Sequence, residues 1–228
     1  MSKPESRPYT RVAIADVGDP LVPLPDDLVR ITPHPYQALG APYGDRDPFW
    51  LRQGVVSRLR LAQAWLQAHT GYSLLIVDAY RPLEVQEFMV HHALRSLVEW
   101  EGKSLTSLSA PELCQYQWRV SQFWASPSPD LATPPPHSTG AAVDLTLHDP
   151  SGITLDMGSP IDELSDRSFP DYFASDARPF HQRRQWLCQA MESAGFRQHP
   201  HEWWHFSYGD QLWAWRSGVA TAFYGRVD

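Results

Sequence analysis

A single-domain α+β fold is the architecture this sequence predicts. Three observations carry that expectation. Stretches with helical apolar spacing alternate with short β-branched runs. Long proline-rich loops separate them. A chain of 228 residues, without internal repeats, suffices for one full hydrophobic core.

Residues 1–35 are rich in proline and turn residues and are expected to form an irregular N-terminal arm with short strands. From about Phe49 to Ala68 the pattern turns helical. Leu59, Ala62 and Leu66 give one apolar face, and Gly71 suits the stop. "YSLLIVD" (72–78) reads as a buried strand. Helical spacing resumes over 83–100 through Val85, Phe88, Met89, His92 and Leu97. The stretch 101–136 contains "SPSPDLATPPP", too dense in proline for regular structure. "AAVDLTLHD" (141–149) alternates as a strand does. Residues 179–194 are amphipathic: Phe180, Leu187, Met191 and Ala194 lie along one side, Pro179 suits the first turn and Gly195 the end. "WWHFSYG" (203–209) reads as a closing strand, because aromatic residues favour strands.

Formal net charge is -7 and no basic run occurs, which speaks against a nucleic-acid partner. The apolar runs are too short to span a membrane. Residues 1–20 lack the apolar core of a secretion signal, so a cytoplasmic location is expected. Cys114 and Cys188 stand far apart with no C-x-x-C, and two free thiols are expected.

The groups that carry chemistry begin with "HPHEWWHFSYGD" (199–210). His201-Glu202-Trp203-Trp204-His205 matches H-E-x-x-H, a string that on a helix places two zinc-binding histidines on one face. A helix needs two turns around such ligands. Here Pro200 stands immediately before the string, and Gly209 follows four residues after it. On a strand, residues four apart lie about 13 Å from each other. His201 and His205 then cannot share one ion. Glu202 and His205 would face opposite sides of an ideal strand, so Glu202 must sit at the strand's irregular entry for both to reach one site.

His137 follows three prolines and precedes Asp144 by seven positions, across small residues that let the backbone turn closely. Taken alone, such a pair is most often a loop histidine and a strand aspartate with no common role. A catalytic zinc takes three protein ligands and keeps an open position. His137, Asp144 and His205 supply that set. Arg81 follows the strand at "DAYRP", where it either serves a site or pairs with Asp78.

"PHSTGAAVDLTL", "EWWHF" and "DAYRP" together resemble the D-alanyl-D-alanine dipeptidases of the vancomycin-resistance type, the dipeptidase branch of the LAS zinc peptidases. The resemblance runs from about Arg30 to Tyr208, supported by "LRLAQAWLQ" and "DMGSPIDELSDRSF". It implies an α+β domain around a small antiparallel sheet and one zinc ion per chain. It assigns His137, Asp144 and His205 as ligands, Glu202 as general base and acid, and Arg81 as stabiliser of the transition state. It implies hydrolysis of the small dipeptide D-Ala-D-Ala to two D-Ala. Two other functions stay open: a D,D-carboxypeptidase acting on longer wall peptides, and a binding module with a structural zinc. The family pattern Ser-x-His departs here, since Pro135 stands at the serine. Ser138 or Thr139 is the expected replacement donor. Asp156, in "LDMGSP", is the expected partner of the substrate amine. The proline-dense loop before His137 and the arm before Phe49 are expected to wall the cleft.

The strand and helix readings of H-E-x-x-H assign opposite fates to two histidines. His201→Ala is expected to retain zinc, and His137→Ala to lose it, by elemental analysis of the purified variants. The reverse result would overturn the ligand set.

Overall fold

The computed structural model describes residues 7–227; residues 1–6 of the expected arm, and residue 228, lie outside the described residues. In chain order the elements are β1 (Ala13–Ile14), β2 (Leu21–Pro23), α1 (Pro35–Ala38), β3 (Trp50–Arg52), α2 (Gln53–Thr70), β4 (Ser73–Asp78) and α3 (Leu83–Trp100). They continue as α4 (Ala110–Ser121), β5 (Ala142–His148), α5 (Phe180–Ser193), β6 (Arg197–Gln198), β7 (His205–Ser207), α6 (Gln211–Ser217) and β8 (Thr221–Ala222). The fold is α+β.

The central sheet has the order β4-β5-β7-β6, antiparallel throughout. One face is apolar. Leu74, Ile76, Val143, Leu145, Leu147 and Phe206 pack there against Leu59, Ala62 and Leu66 of α2 and against Leu187, Ala190 and Met191 of α5. The alternation of a strand turns the residues between them to the opposite face. A second apolar cluster joins α3 and α4 through Val85, Met89, Leu97, Tyr116 and Val120, with Tyr36, Tyr43 and Trp124.

Pairing between β4 and β5 is regular from Ser73↔His148 to Ile76↔Leu145 and then shifts by one residue, so that Asp78, not Val77, stands opposite Asp144. Asp144 in turn pairs with His205. Directly opposed residues project from the same face. The shift therefore aligns Asp78, Asp144 and His205 in one row across three strands, on the side away from α2 and α5.

Helix α3 has the bounds expected of it, and β4, β5 and α5 lie within a residue or so of theirs. Three elements differ. Phe49 and Trp50 do not begin a helix: Trp50–Arg52 pairs with Leu21–Pro23 as β3, and α2 starts at Gln53. The closing strand is only His205–Ser207, because Trp203 and Trp204 are buried in a bend before it. Helix α4 arises before the proline-dense loop, where no regular element was expected. Ser109 and Glu112 form a capping box, and Pro111 sits in its first turn. The short β1 pairs with β8 and ties the arm to the end of the chain. Cys114 and Cys188 are free, as expected. Among the described residues, no helix is long and apolar enough to cross a membrane.

Candidate active site

His137 reaches the row from outside the sheet. It lies in a 3-10 turn, Pro136–Thr139, that Gly140 ends at φ 67°. A side chain at Gly140 would meet Leu21 and the backbone of Arg52, so the arm and β3 press closely on this turn. Arg52 donates from Nε to the Thr139 carbonyl at 2.9 Å and fixes it further.

Two hydrogen bonds set the tautomers. His137 Nδ1 lies 2.7 Å from the Ala79 carbonyl. That oxygen only accepts, so Nδ1 carries the hydrogen and Nε2 is bare. Ser207 donates its hydroxyl hydrogen to Asp210 at 2.8 Å, leaving its oxygen to accept from His205 Nε2 at 3.4 Å. His205 Nδ1 is therefore also bare. These two lone pairs face each other at 3.1 Å. They also face the Asp144 carboxylate at 3.2 Å from His137 Nε2 and 3.0 Å from His205 Nδ1.

Three acceptors converging without a hydrogen between them repel one another unless a cation sits among them. Their spacing is close to the roughly 3.3 Å edge of a tetrahedron with bonds of about 2.0–2.1 Å, the zinc distance for nitrogen and carboxylate ligands. The donor set fits zinc. The carbonyl behind His137 and the Ser207–Asp210 pair behind His205 are the orienting partners metal-bound histidines use. His201 stands outside, with Nδ1 3.3 Å from the Gln122 carbonyl.

Glu202 sits beside the cluster and not in it. The chain turns sharply through 199–204, held by Gln198 Nε2 donating to the Trp203 carbonyl and by the Trp203 indole donating to Ser159. This places Glu202 before β7 begins, with Oε2 3.7 Å from His205 Nδ1. Its Oε1 is buried without a hydrogen-bond partner among the described residues. The nearest nitrogen, His199 Nδ1 at 3.4 Å, already accepts the His201 amide. Burial, then the charges of Asp144 and Asp162, raises the Glu202 pKa well above the ordinary carboxylate value; Arg7 opposes them.

Arg81 both pairs with Asp78 and lines the cavity. Nε and Nη2 bind one Asp78 oxygen at 3.1 and 2.7 Å, Nη1 binds Gln86, and Nη2 lies 3.4 Å from Asp144. Asp78 is fully buried and also meets His34 Nε2 at 3.0 Å and the Tyr43 hydroxyl at 3.3 Å. Burial opposes its charge, but Arg81 first, then His34 and His137, hold its pKa at about 2.

A cavity of about 450 Å³, including its mouth, opens on these groups. Two expected residues are not in it. Asp156 is exposed in a separate groove, where its carboxylate accepts the Gly158 amide at 2.8 Å. Ser138 donates its hydroxyl to the Pro135 carbonyl at 2.8 Å, closing its own turn, and does not line the cavity. Besides Asp144 and Glu202, the acid that lines it is Asp162, which accepts the Tyr36 hydroxyl at 2.8 Å and adopts φ 66°. Burial, then the nearby charge of Asp144, raises its pKa to about 7. Sequence reasoning missed it for Asp156 in the same stretch, and missed His34 and Arg7 of the arm.

Removing Asp78 leaves the Arg81 charge buried without its closest partner. Asp78→Ala is expected to lower stability by about 3–5 kcal/mol in denaturant titration. A loss below about 1 kcal/mol would mean that Arg81 is held by other contacts.

The model of the D-ala-D-ala dipeptidase family matches residues 30–223. A D-alanyl-D-alanine dipeptidase of Synechocystis sp. is 42% identical over 97% of each chain. One from Enterococcus faecium is 28% identical over 69% of this chain and 75% of its own. Of solved structures, the LD-carboxypeptidase LdcB covers 90% of this chain and 76% of its own at 15% identity and a TM-score of 0.47. Matched over most of its length, this chain belongs to the D-ala-D-ala dipeptidase family.

Proposed function

We propose that the protein hydrolyses D-Ala-D-Ala to two molecules of D-Ala, with zinc held by His137, Asp144 and His205. The observation that carries this reading is the three-acceptor cluster with a buried, unpartnered carboxylate beside it. Relatives that bear the name of this activity support the substrate. A structural zinc closes with four protein ligands; a three-ligand set next to a free carboxylate supports catalysis instead.

When bound, zinc would supply a Lewis acid and lower the pKa of water toward about 7. Glu202 is the group placed to take the proton from attacking water. The C–N bond then breaks, and Glu202 returns that proton to the amine of the leaving D-Ala. Its raised proton affinity suits both halves of this transfer. A guanidinium has five N–H groups, and one Arg81 Nη1 hydrogen is not used by its hydrogen bonds. Arg81 offers this hydrogen and its charge to the developing oxyanion. Asp162 receives the substrate ammonium. An acylated amine brings no positive charge to this half-buried acid, which favours the free dipeptide over longer wall peptides.

With D-Ala-D-Ala, L-Ala-L-Ala and a pentapeptide ending in D-Ala-D-Ala as substrates, the first is expected to be cleaved best. Chelation abolishes the activity and added zinc restores it. Faster release of D-Ala from the pentapeptide would establish a carboxypeptidase instead. Glu202→Ala is expected to keep about one zinc per chain while kcat falls by roughly 10²–10⁴. Loss of zinc from this variant would make Glu202 a ligand.

A further inference from the structure

The arm before residue 30 lies outside the stretch matched by the family model, yet it brings a cation to the cavity. We propose that Arg7 binds the C-terminal carboxylate of the dipeptide and makes the site selective for a free C-terminus. The inference rests on the dipeptidase reading above.

Among the described residues, two arginines and no lysine line the cavity. Arg81 is already neutralised by Asp78 and lies against Asp144. Arg7 has no carboxylate partner within ion-pair distance among the described residues. Its Nη1 donates to the Tyr9 hydroxyl at 2.7 Å, and its Nη2 to the carbonyls of Ser121 and Trp124 at 2.7 and 2.6 Å. These neutral acceptors orient the guanidinium and leave its charge uncompensated. A zwitterionic dipeptide brings one ammonium and one carboxylate. Asp162 accounts for the first, and Arg7 is the cavity's remaining uncompensated cation for the second.

The chemistry of proton return fixes the side on which that carboxylate lies. Glu202 protonates the leaving amine, which belongs to the C-terminal residue. The carboxylate of that residue therefore lies on the Glu202 side of the scissile bond. Arg7, Glu202 and His199 line the same cavity. Arg7 is fixed at the Ser121 and Trp124 carbonyls, and Asp162 at the Tyr36 hydroxyl. The two termini thus meet opposite charges held by different segments of the chain.

The turn that carries His137 also offers that carboxylate no free hydroxyl. Pro135 has neither a hydroxyl nor an N–H. Ser138 and Thr139 give their hydroxyls to the Pro135 and Pro136 carbonyls at 2.8 and 2.6 Å. Pro135 and Arg7 line one neighbouring groove, so Arg7 stands close to that turn. Its position is built: Tyr9 is buried, and Gln211 donates to the Val12 carbonyl at 2.6 Å.

The test compares D-Ala-D-Ala with D-alanyl-D-alaninamide, whose C-terminus is neutral, on the zinc-loaded full chain. Wild type is expected to prefer the free acid in kcat/KM. In Arg7→Ala the preference is expected to fall on the order of 10²-fold, the scale of losing one partner of a buried charge pair, with the amide affected only a few-fold. Arg7→Lys, which keeps the charge without the fork of donors, is expected to lie between. The ratio of two substrates on one preparation is independent of the folded fraction, so a loosened arm does not mimic the effect. A wild type without preference, or an Arg7→Ala variant that keeps it, would overturn the inference. If Arg7→Ala does not fold, an undiminished preference in Arg7→Lys does the same. Wild type inactive on both substrates would instead sink the dipeptidase reading, and this inference with it.

Discussion

Between Ile76 and Asp78 the pairing of β4 with β5 slips by one residue, and the site is built on that slip. In unbroken register Val77 would stand opposite Asp144, and Asp78 would point to the core face with Ile76. Side chains alternate with a period of two, so a one-residue shift decides which face a carboxylate occupies. With the shift, Asp78 joins Asp144 and His205 in one row and anchors Arg81 and His34. The turn carrying His137 then docks on the carbonyl of Ala79, the residue that follows β4. The end of one strand thereby sets the second layer of the whole cluster.

Four carboxylates, Asp78, Asp144, Asp162 and Glu202, are crowded into this region. Two like charges about 4 Å apart repel by roughly 4 kcal/mol at the effective dielectric of a protein. The structure divides them by environment. Arg81 and two histidines hold Asp78 ionised. Asp144 stands between the bare nitrogens of His137 and His205, and a cation shared with them would hold it ionised. Glu202 and Asp162 lack such partners, and burial pushes both up. Carboxyl groups of one cavity thus separate into fixed charges that hold cations and proton-hungry groups that face substrate. That separation is the electrostatic form of the proposed division between ligand and base.

Much of the fold was legible in the sequence because local rules decided it, and the ligand set was read from the three residues a catalytic zinc needs and from the motifs' resemblance to a family. Helix α3 follows its apolar spacing, and Pro200 and Gly209 leave no room for a helix around His205. The rest depended on long-range contacts or on signals passed over. Helix α4 buries only Tyr116 and Val120 and stands just before the proline-dense loop, so the stretch 101–136 was read through its prolines and the helix within it was missed. Asp156 and Asp162 sit in the same stretch as comparable loop acids. Only the packing of Tyr36, 126 positions away, distinguishes them. His34 meets Asp78 across 44 positions, and Arg7 meets Trp124 across 117. No local pattern announces such pairs.

These differences in legibility follow the architecture. The groups proposed for bond cleavage come from adjacent strands, the turn before β5 and the bend before β7, where register and tight turns fix them. The groups proposed to read the two ends of the substrate come from irregular segments laid over that frame: Asp162 from a loop after β5, Arg7 from the arm. A loop or arm tolerates change that a strand row does not, because a slip of register would scatter the cluster whereas a replaced loop residue alters one contact. The chemistry stays with the sheet, while recognition of the substrate's ends passes to segments that can vary without disturbing it.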